Sequence, residues 1–221
     1  MLIRTIALAV LSIAASRPLT AQGAAAPKLR PEMLVTTAWL AGHLSDPDLV
    51  VLCVNSTPEF YSRGHIPGAR QIKLGDIAVT RDGIPNELPP VEELQKVFAE
   101  AGVSNSSRVV LYGERSNLFA ARAYFTLDYL GVAGHTALLD GGIEKWTAEH
   151  RPLSTETPKV KPAMLKLSPR PEILVDTAGM RDLARKPESA ALIDARLPSQ
   201  FQDAEALPER RSPALISKDF V

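Results

Sequence analysis

The chain has 221 residues, of which 45% are hydrophobic and 23% are charged, a composition typical of one or two globular domains. Its 25 Lys and Arg residues balance its 25 Asp and Glu residues, so no bulk charge attracts nucleic acid or an anionic membrane, and we expect neither as a partner. The single cysteine, Cys53, excludes an intramolecular disulfide, and the four histidines lack the spacing of zinc sites, so we expect no metal and no other cofactor.

The first 21 residues have the pattern of a secretory signal peptide. Arg4 precedes the apolar run 6–15, and Ala21 offers a position for cleavage. The run is shorter than the about 20 residues that a membrane-spanning helix needs, although an uncleaved anchor is the alternative. The pattern predicts a secreted or periplasmic protein with no membrane span after cleavage, in which residues 22–32 form a flexible lead-in.

Strand-like and helix-like patterns alternate over residues 33–152. Thr36 suits the N-cap of a short helix, and the apolar run 49–54 suits a strand that is buried on both faces of a parallel sheet. Periodicity predicts further strands at 70–72, 108–112 and 136–139, and helices at 91–98, 118–130 and 143–149. The alternation predicts an α/β domain whose parallel sheet is covered by helices on both faces.

A proline-rich linker, residues 153–170, separates this domain from a partial repeat of it. Residues 34–38 (LVTTA) resemble residues 174–178 (LVDTA). Because the two segments are separated by the length of a whole domain, the repeat indicates a duplicated domain. The similarity stops after Phe201. We therefore expect residues 171–221 to be an incomplete second copy that is either poorly ordered or lies against the first domain.

Three segments in the first domain carry a resemblance to a known family. They are 64–69 (GHIPGA), 109–112 (VVLY) followed by 120–123 (AARA), and 139–146 (LDGGIEKW). Together they resemble the rhodanese family, and the repeat is similar to the tandem form found in thiosulfate and 3-mercaptopyruvate sulfurtransferases. The resemblance implies a rhodanese-like parallel sheet covered by helices on both faces, plus an incomplete second copy.

The resemblance also implies where the chemistry would lie. In the family a cysteine directly follows the strand equivalent to 108–112, and its thiolate carries sulfur as a persulfide, which divides the transfer into two easier steps. In tandem members the second domain carries this cysteine. Here Gly113 occupies the position, and Glu114 adds a negative charge where an anionic donor would sit.

We therefore expect a sulfurtransferase-like protein that is catalytically silent, a pseudo-enzyme. Two alternatives stay open. One is an active thiosulfate or 3-mercaptopyruvate sulfurtransferase that uses Cys53 or a domain supplied by a partner chain. The other is a damaged reading frame, because the divergence after Phe201 is what a frameshift would produce.

Two residues of the first domain have both a chemical and a structural interpretation. Cys53 lies near the C-terminal end of a predicted strand, where parallel sheets place their ligands, but its apolar neighbours favour a buried, inert thiol. His65 is expected to fix its turn by bonding to local backbone.

The segment after Gly113 offers candidates for contact with a small anion. Arg115, Ser116 and Asn117 precede a predicted helix and could hold an anionic sulfur compound, with a solvated loop as the alternative. Arg122 on that helix could face the same anion or form a structural ion pair. The resemblance therefore implies a small anionic sulfur compound as a partner, and a partner protein is the second expectation.

Overall fold

The computed structural model describes residues 33–186, 188, 190–195 and 198. The predicted signal peptide, the lead-in 22–32 and Phe201 lie outside them. The elements in chain order are β1 (Leu34–Val35), α1 (Thr37–His43), β2 (Leu49–Asn55), α2 (Pro58–Ser62), β3 (Arg70–Lys73), α3 (Leu74–Ile77), β4 (Val79–Arg81), β5 (Ile84–Glu87), α4 (Val91–Glu100), β6 (Arg108–Gly113), α5 (Glu114–Tyr129), β7 (Thr136–Leu139), α6 (Gly142–Ala148) and α7 (Thr177–Ala184). Of the helices described, none is long and apolar enough to cross a membrane.

In the described part of the chain, five strands form one parallel sheet in the order β1-β7-β6-β2-β3. β4 and β5 form a separate antiparallel hairpin. At the centre of the sheet, Leu52 of β2 lies opposite Leu111 of β6 and Arg70 of β3. Parallel neighbours need long crossover connections, and these carry the helices onto the faces of the sheet.

The two faces of the sheet bury separate apolar cores. Leu52 faces a cluster that includes Phe98 of α4 and side chains of α5. The next residue, Cys53, faces a second cluster with Leu40 of α1 and Trp146 of α6. Because successive side chains of a strand point to opposite faces, one apolar run supplies both cores. The predicted α/β fold, with a parallel sheet covered by helices on both faces, is confirmed.

Most predicted elements form where the patterns placed them. The runs 49–54, 70–72, 108–112 and 136–139 lie in β2, β3, β6 and β7, and the helices predicted at 91–98 and 143–149 correspond to α4 and α6. Thr36 caps α1, since its hydroxyl accepts a hydrogen bond from the Trp39 N–H at 3.1 Å. The helix predicted at 118–130 is the regular part of α5, because residues 115–117 have left-handed backbone angles and regular helix follows from Leu118.

Residues 153–170, called the strap below, have no regular secondary structure apart from the bridge at Ser154, and they pack along the domain. Ser154 and His65 exchange two backbone hydrogen bonds, at 2.9 and 2.8 Å. The Ser168 N–H donates to the C-cap carbonyl of α5 at 3.1 Å. Leu165 is buried in the first core. The strap is thus anchored at both ends and in its middle.

The ring of His65 joins the strap to the turn of residues 64–69. The ring is buried and stacks on Tyr61 with centroids 3.9 Å apart. Its Nδ1 lies 3.1 Å from the Tyr61 carbonyl oxygen, which confirms the expected bond to local backbone. Its Nε2 lies 3.1 Å from the carbonyl oxygen of Glu156 in the strap, a contact that the sequence does not indicate.

The described residues after the strap include one α-helix element, α7. Asp176 caps α7 by accepting from the Gly179 N–H at 2.7 Å, in the same relation as Thr36 to Trp39 at the start of α1. No residue of α7 is buried. Residues 190–195, which the repeat aligns with β2, form no strand. A strand needs neighbours for its hydrogen bonds, and none pairs with this segment among the residues described.

Candidate functional site at the carboxyl edge of the sheet

The strands β2 and β6 end side by side at Asn55 and Gly113. β2 connects onward to β3 on one side, whereas β6 connects to β7 on the other. In open α/β sheets, the crevice where the connections diverge in this way is the usual place for a ligand. The candidate site is therefore formed by the loops 55–57 and 113–117.

Gly113 leaves no room for a side chain. Its backbone is extended, with φ −173° and ψ −177°. A Cβ atom on it would collide with the Val54 carbonyl oxygen and lie 3.3 Å from the Ala120 nitrogen. The sequence shows that this position lacks a thiol, and the packing adds that a cysteine would not fit there unless the backbone moved.

Glu114 turns its carboxylate toward the neighbouring loop. Its Oε2 accepts from the Ser56 N–H at 2.9 Å and from the Ser56 hydroxyl at 2.7 Å, and its Oε1 accepts from the Thr57 hydroxyl. The residue is 9% exposed. Burial by itself would raise the pKa of the Glu114 carboxyl, but the hydrogen bonds from Thr57 and Ser56 outweigh it and hold that pKa below its usual range. The negative charge of Glu114 is thus stabilised by hydrogen-bond donors of Ser56 and Thr57.

Asn117 ties two strand ends together. Its Oδ1 accepts from the Gly113 N–H at 3.2 Å, and its Nδ2 donates to the Leu139 carbonyl oxygen at 2.7 Å. Asn117 has φ 69°, a left-handed conformation that asparagine adopts more readily than most residues. Because its amide is engaged on both sides, Asn117 acts as a brace between β6 and β7.

The other two loop candidates face solvent. Arg115 and Ser116 are exposed and have φ 55° and 50°. The guanidinium carbon of Arg115 lies 5.8 Å from the ring centroid of Phe119. These two side chains are the members of the predicted set that a small anion could reach without displacing a buried contact.

Arg122 is directed at a different element. Its Nε and Nη2 donate to the Ile77 carbonyl oxygen at 3.3 and 3.2 Å, so it links α5 to α3. Its guanidinium carbon lies 6.0 Å from the ring centroid of Phe125, and burial lowers its pKa. The structure therefore does not bring Arg122 together with the loop 113–117.

Cys53 is buried in the second core, as expected. Burial raises the pKa of its thiol to about 12, despite a hydrogen bond with Tyr112, and the nearby charge of Glu114 adds to the rise. The thiolate is the nucleophilic form of cysteine. This environment keeps Cys53 protonated and away from solvent.

The sequence analysis did not predict the other wall of the crevice, which the loop 55–57 and β3 form. Asn55 is 1% exposed, and its Nδ2 donates to the Thr57 carbonyl oxygen at 2.6 Å. Gln71 of β3 donates to Asn55 Oδ1 at 3.2 Å. The signal was the polar run of residues 55–57 directly after a buried strand. Within the described residues, no three His, Cys, Asp or Glu side chains are grouped as metal ligands would be.

Comparison with known proteins places this geometry in a family. Residues 36–149 match the rhodanese-like domain, and the chain belongs to the rhodanese-like domain family. The chain is 36% identical over 179 residues to the sulfur carrier protein TtuD of Thermus thermophilus, covering 78% of this chain and 60% of that protein. It is 37% identical over 129 residues to a putative thiosulfate sulfurtransferase of Mycolicibacterium smegmatis, covering 58% of this chain and 45% of that protein.

Solved structures agree on the fold. SseA from Escherichia coli, described as a 3-mercaptopyruvate sulfotransferase with the rhodanese fold, matches with a TM-score of 0.69 at 24% identity and covers 80% of this chain and 72% of its own. The protein is rhodanese-family and sulfurtransferase-like, as the resemblance implied. The chain spans 60% of the length of TtuD and 45% of the length of the Mycolicibacterium protein.

Proposed function

We propose that residues 33–170 form a non-catalytic rhodanese-like module of a sulfurtransferase-type protein. The module has a binding role and does not itself carry sulfur as a persulfide. The observation that carries the proposal is Gly113. The position where the family implies a nucleophilic cysteine has no thiol, and the Val54 carbonyl oxygen occupies the space that its side chain would need.

The buried thiol supports the same proposal. Persulfide transfer requires a thiolate that attacks the outer sulfur of a donor such as thiosulfate, releasing sulfite, and that then passes this sulfur to an acceptor such as cyanide. Cys53 is buried in an apolar core, and the pKa of its thiol is raised to about 12. Both features oppose its use as a substitute nucleophile.

The experiment is an assay of thiosulfate:cyanide sulfur transfer by the purified chain, repeated with 3-mercaptopyruvate as donor. The chain with Cys53→Ser is the matched control, and an active sulfurtransferase is the positive control. We expect no thiocyanate above background from either form, and no added sulfur on the intact protein by mass spectrometry. Turnover that Cys53→Ser abolishes would contradict the proposal.

A second candidate is that a partner chain supplies a catalytic domain. The observation in its favour is that four large apolar side chains after the strap are exposed: Leu174, Val175, Leu192 and Ile193. A partner protein that covered them would remove this apolar surface from water. In that arrangement Arg115 and Ser116 are the residues of this chain available to a small anionic sulfur compound. The test is sulfur transfer by the chain after affinity capture with its natural partners, compared with Arg115→Ala.

Export is part of the proposal. The pattern of residues 1–21 supports a secreted or periplasmic location, and a buried lone thiol is compatible with an oxidising compartment. N-terminal sequencing of the protein recovered from cell fractions tests it. We expect a mature chain that begins at Gln22, and a cytosolic chain that retains Met1 would contradict it.

A further inference from the structure

The crevice contains a complete set of donors for one carboxylate. Ser56 supplies its backbone N–H and its hydroxyl to one oxygen of Glu114, and Thr57 supplies its hydroxyl to the other. Hydrogen bonds to an ionised acceptor are stronger than those between neutral groups. Two adjacent residues therefore form a receptor for a planar carboxylate.

The receptor is positioned by the sheet rather than by Glu114. Asn55, at the end of β2, donates to the Thr57 carbonyl oxygen at 2.6 Å. Gln71, on the neighbouring strand β3, holds the Asn55 amide from the other side at 3.2 Å. Since Asn55 is buried and bonded on both sides, the loop 55–57 keeps its shape when Glu114 departs.

A cavity of about 230 Å³ opens beside Ser56. The residues that line it include Gln71, Lys73 and Asn86. Lys73 is exposed, and its ammonium group favours a negatively charged guest. The cavity is smaller than the roughly 300–1,000 Å³ of sites for drug-sized ligands, so it suits a small molecule.

The loop that carries Glu114 is strained. Arg115, Ser116 and Asn117 have φ of 55°, 50° and 69°, three consecutive left-handed residues without a glycine. Such residues cluster where a segment has two arrangements, because leaving the strained one returns free energy. The departure of Glu114 would let this run relax.

We propose that Ser56 and Thr57 form a binding site for the carboxylate of a small organic acid, which Glu114 occupies in the free protein. The acid lies in the adjacent cavity beside Lys73 and takes the place of the Glu114 carboxylate, so Glu114 is a tethered competitor that weakens binding. The site needs no thiol and no sulfur transfer, so it goes beyond the proposed function and is tested separately.

The experiment is a titration of the whole chain with sodium acetate, followed through the backbone amide resonances of Ser56 and Thr57. Sodium chloride at matched ionic strength controls for salt, and sodium sulfate tests whether a tetrahedral oxyanion replaces the carboxylate. Glu114→Ala removes the competitor. Glu92→Ala removes the same charge from an exposed position on α4 and is the matched control.

We expect acetate to bind Glu114→Ala about tenfold more tightly than the unaltered chain. If Glu114 leaves the site free only about a tenth of the time, the apparent affinity of the unaltered chain is lower by the same factor. Glu92→Ala should behave as the unaltered chain, and adding Thr57→Val to Glu114→Ala should remove the gain. Equal acetate affinity with and without Glu114, or sulfate binding as tight as acetate, would overturn the proposal. If Glu114→Ala does not fold, Glu114→Gln keeps the side-chain length, and the same comparison decides.

Discussion

Single atoms decide what the loop after β6 can do. The absent Cβ of Gly113 lets the chain pass against the Val54 carbonyl oxygen, and the amide of Asn117 then holds the end of β6 to the end of β7. Glu114 spans to the other side and bonds to Ser56 and Thr57. Neighbouring backbone thus fills the space that a side chain at position 113 would need, and a larger residue there would displace these neighbours.

Gly113→Cys should therefore not restore sulfur transfer. The new Cβ collides with backbone, and overpacking of this kind costs about 1–3 kcal/mol of unfolding free energy. Gly113→Ala is the matched control, because it adds the Cβ without the thiol, and it should lose a similar amount. Urea unfolding and the thiosulfate assay measure the two effects. A Gly113→Cys chain that is fully stable and transfers sulfur would show that the loop opens readily.

The lowered pKa of Glu114 predicts how stability depends on pH. The unfolded chain binds a proton at this carboxyl at a higher pH than the folded chain does, so stability rises with pH between the two pKa values. The contribution is complete above the unfolded pKa and is lost as pH falls through the folded pKa. Glu114→Gln should remove this part of the acid sensitivity.

Urea unfolding at a series of acid pH values checks the Glu114 prediction, with Glu92→Gln as the control for loss of a charge. An unaltered chain whose pH profile coincides with that of Glu114→Gln would mean that the hydrogen bonds from Ser56 and Thr57 do not favour the ionised form.

At the scale of helices and strands, local periodicity was sufficient to predict an element where one run of residues supplies its contacts with the cores. The run 49–54 supplies both cores by alternation, so its strand could be predicted without knowing its neighbours. The regular helix from Leu118 was predicted, but the left-handed angles of residues 115–117 could not be, because none of the three is a glycine. The contact between Glu114 and the loop 55–57 joins residues 57 and 58 positions apart, a distance that no local pattern records.

The strap shows the same limit. Its prolines predict extended chain, but its course over the domain depends on distant partners such as Gly131, where a Cβ would collide with the Ser168 carbonyl oxygen. Because the strap is anchored by Leu165 and by hydrogen bonds at both ends, we propose that the folding unit of the first domain runs to residue 170 rather than ending at 152.

Leu165→Ala tests whether the strap belongs to that unit. Leu165 is 5% exposed within the first core, and truncating a buried leucine costs about 2–5 kcal/mol. The adjacent Met164 is 93% exposed, so Met164→Ala should stay within about 0.5 kcal/mol of the unaltered chain. Urea unfolding measures both. Equal stability of the two variants would mean that the strap adds nothing to the domain.

On the scale of the whole molecule, the described residues divide into a well-packed domain and a segment with little buried surface. α7 begins with the same cap as α1, which supports residues 171–221 as a partial second copy, yet none of its residues is buried and Ile193 is 87% exposed. An incomplete second copy at 171–221, beside a first unit that runs to residue 170, therefore stays our proposal.

Hydrogen exchange should separate the two parts. Amides of β2 and α5 are expected to open only with global unfolding, whereas those of α7 should exchange with a protection free energy close to zero, because little burial opposes their opening. Mass spectrometry of peptic fragments, or amide resonances followed over time, provides the measurement. Protection of residues 177–184 equal to that of β2 would place α7 in the folded core.

The lone thiol also makes the molecule its own reporter. Cys53 is enclosed in the second core, so an alkylating reagent can reach it only when that core opens. The rate of labelling then reports how often the second core opens at Cys53, and no second cysteine contributes to the labelling. Every variant above that keeps Cys53 and adds no second cysteine can be ranked by its labelling rate without a fluorescent tag. A chain that labels at once has lost the side of the sheet on which α1 and α6 pack.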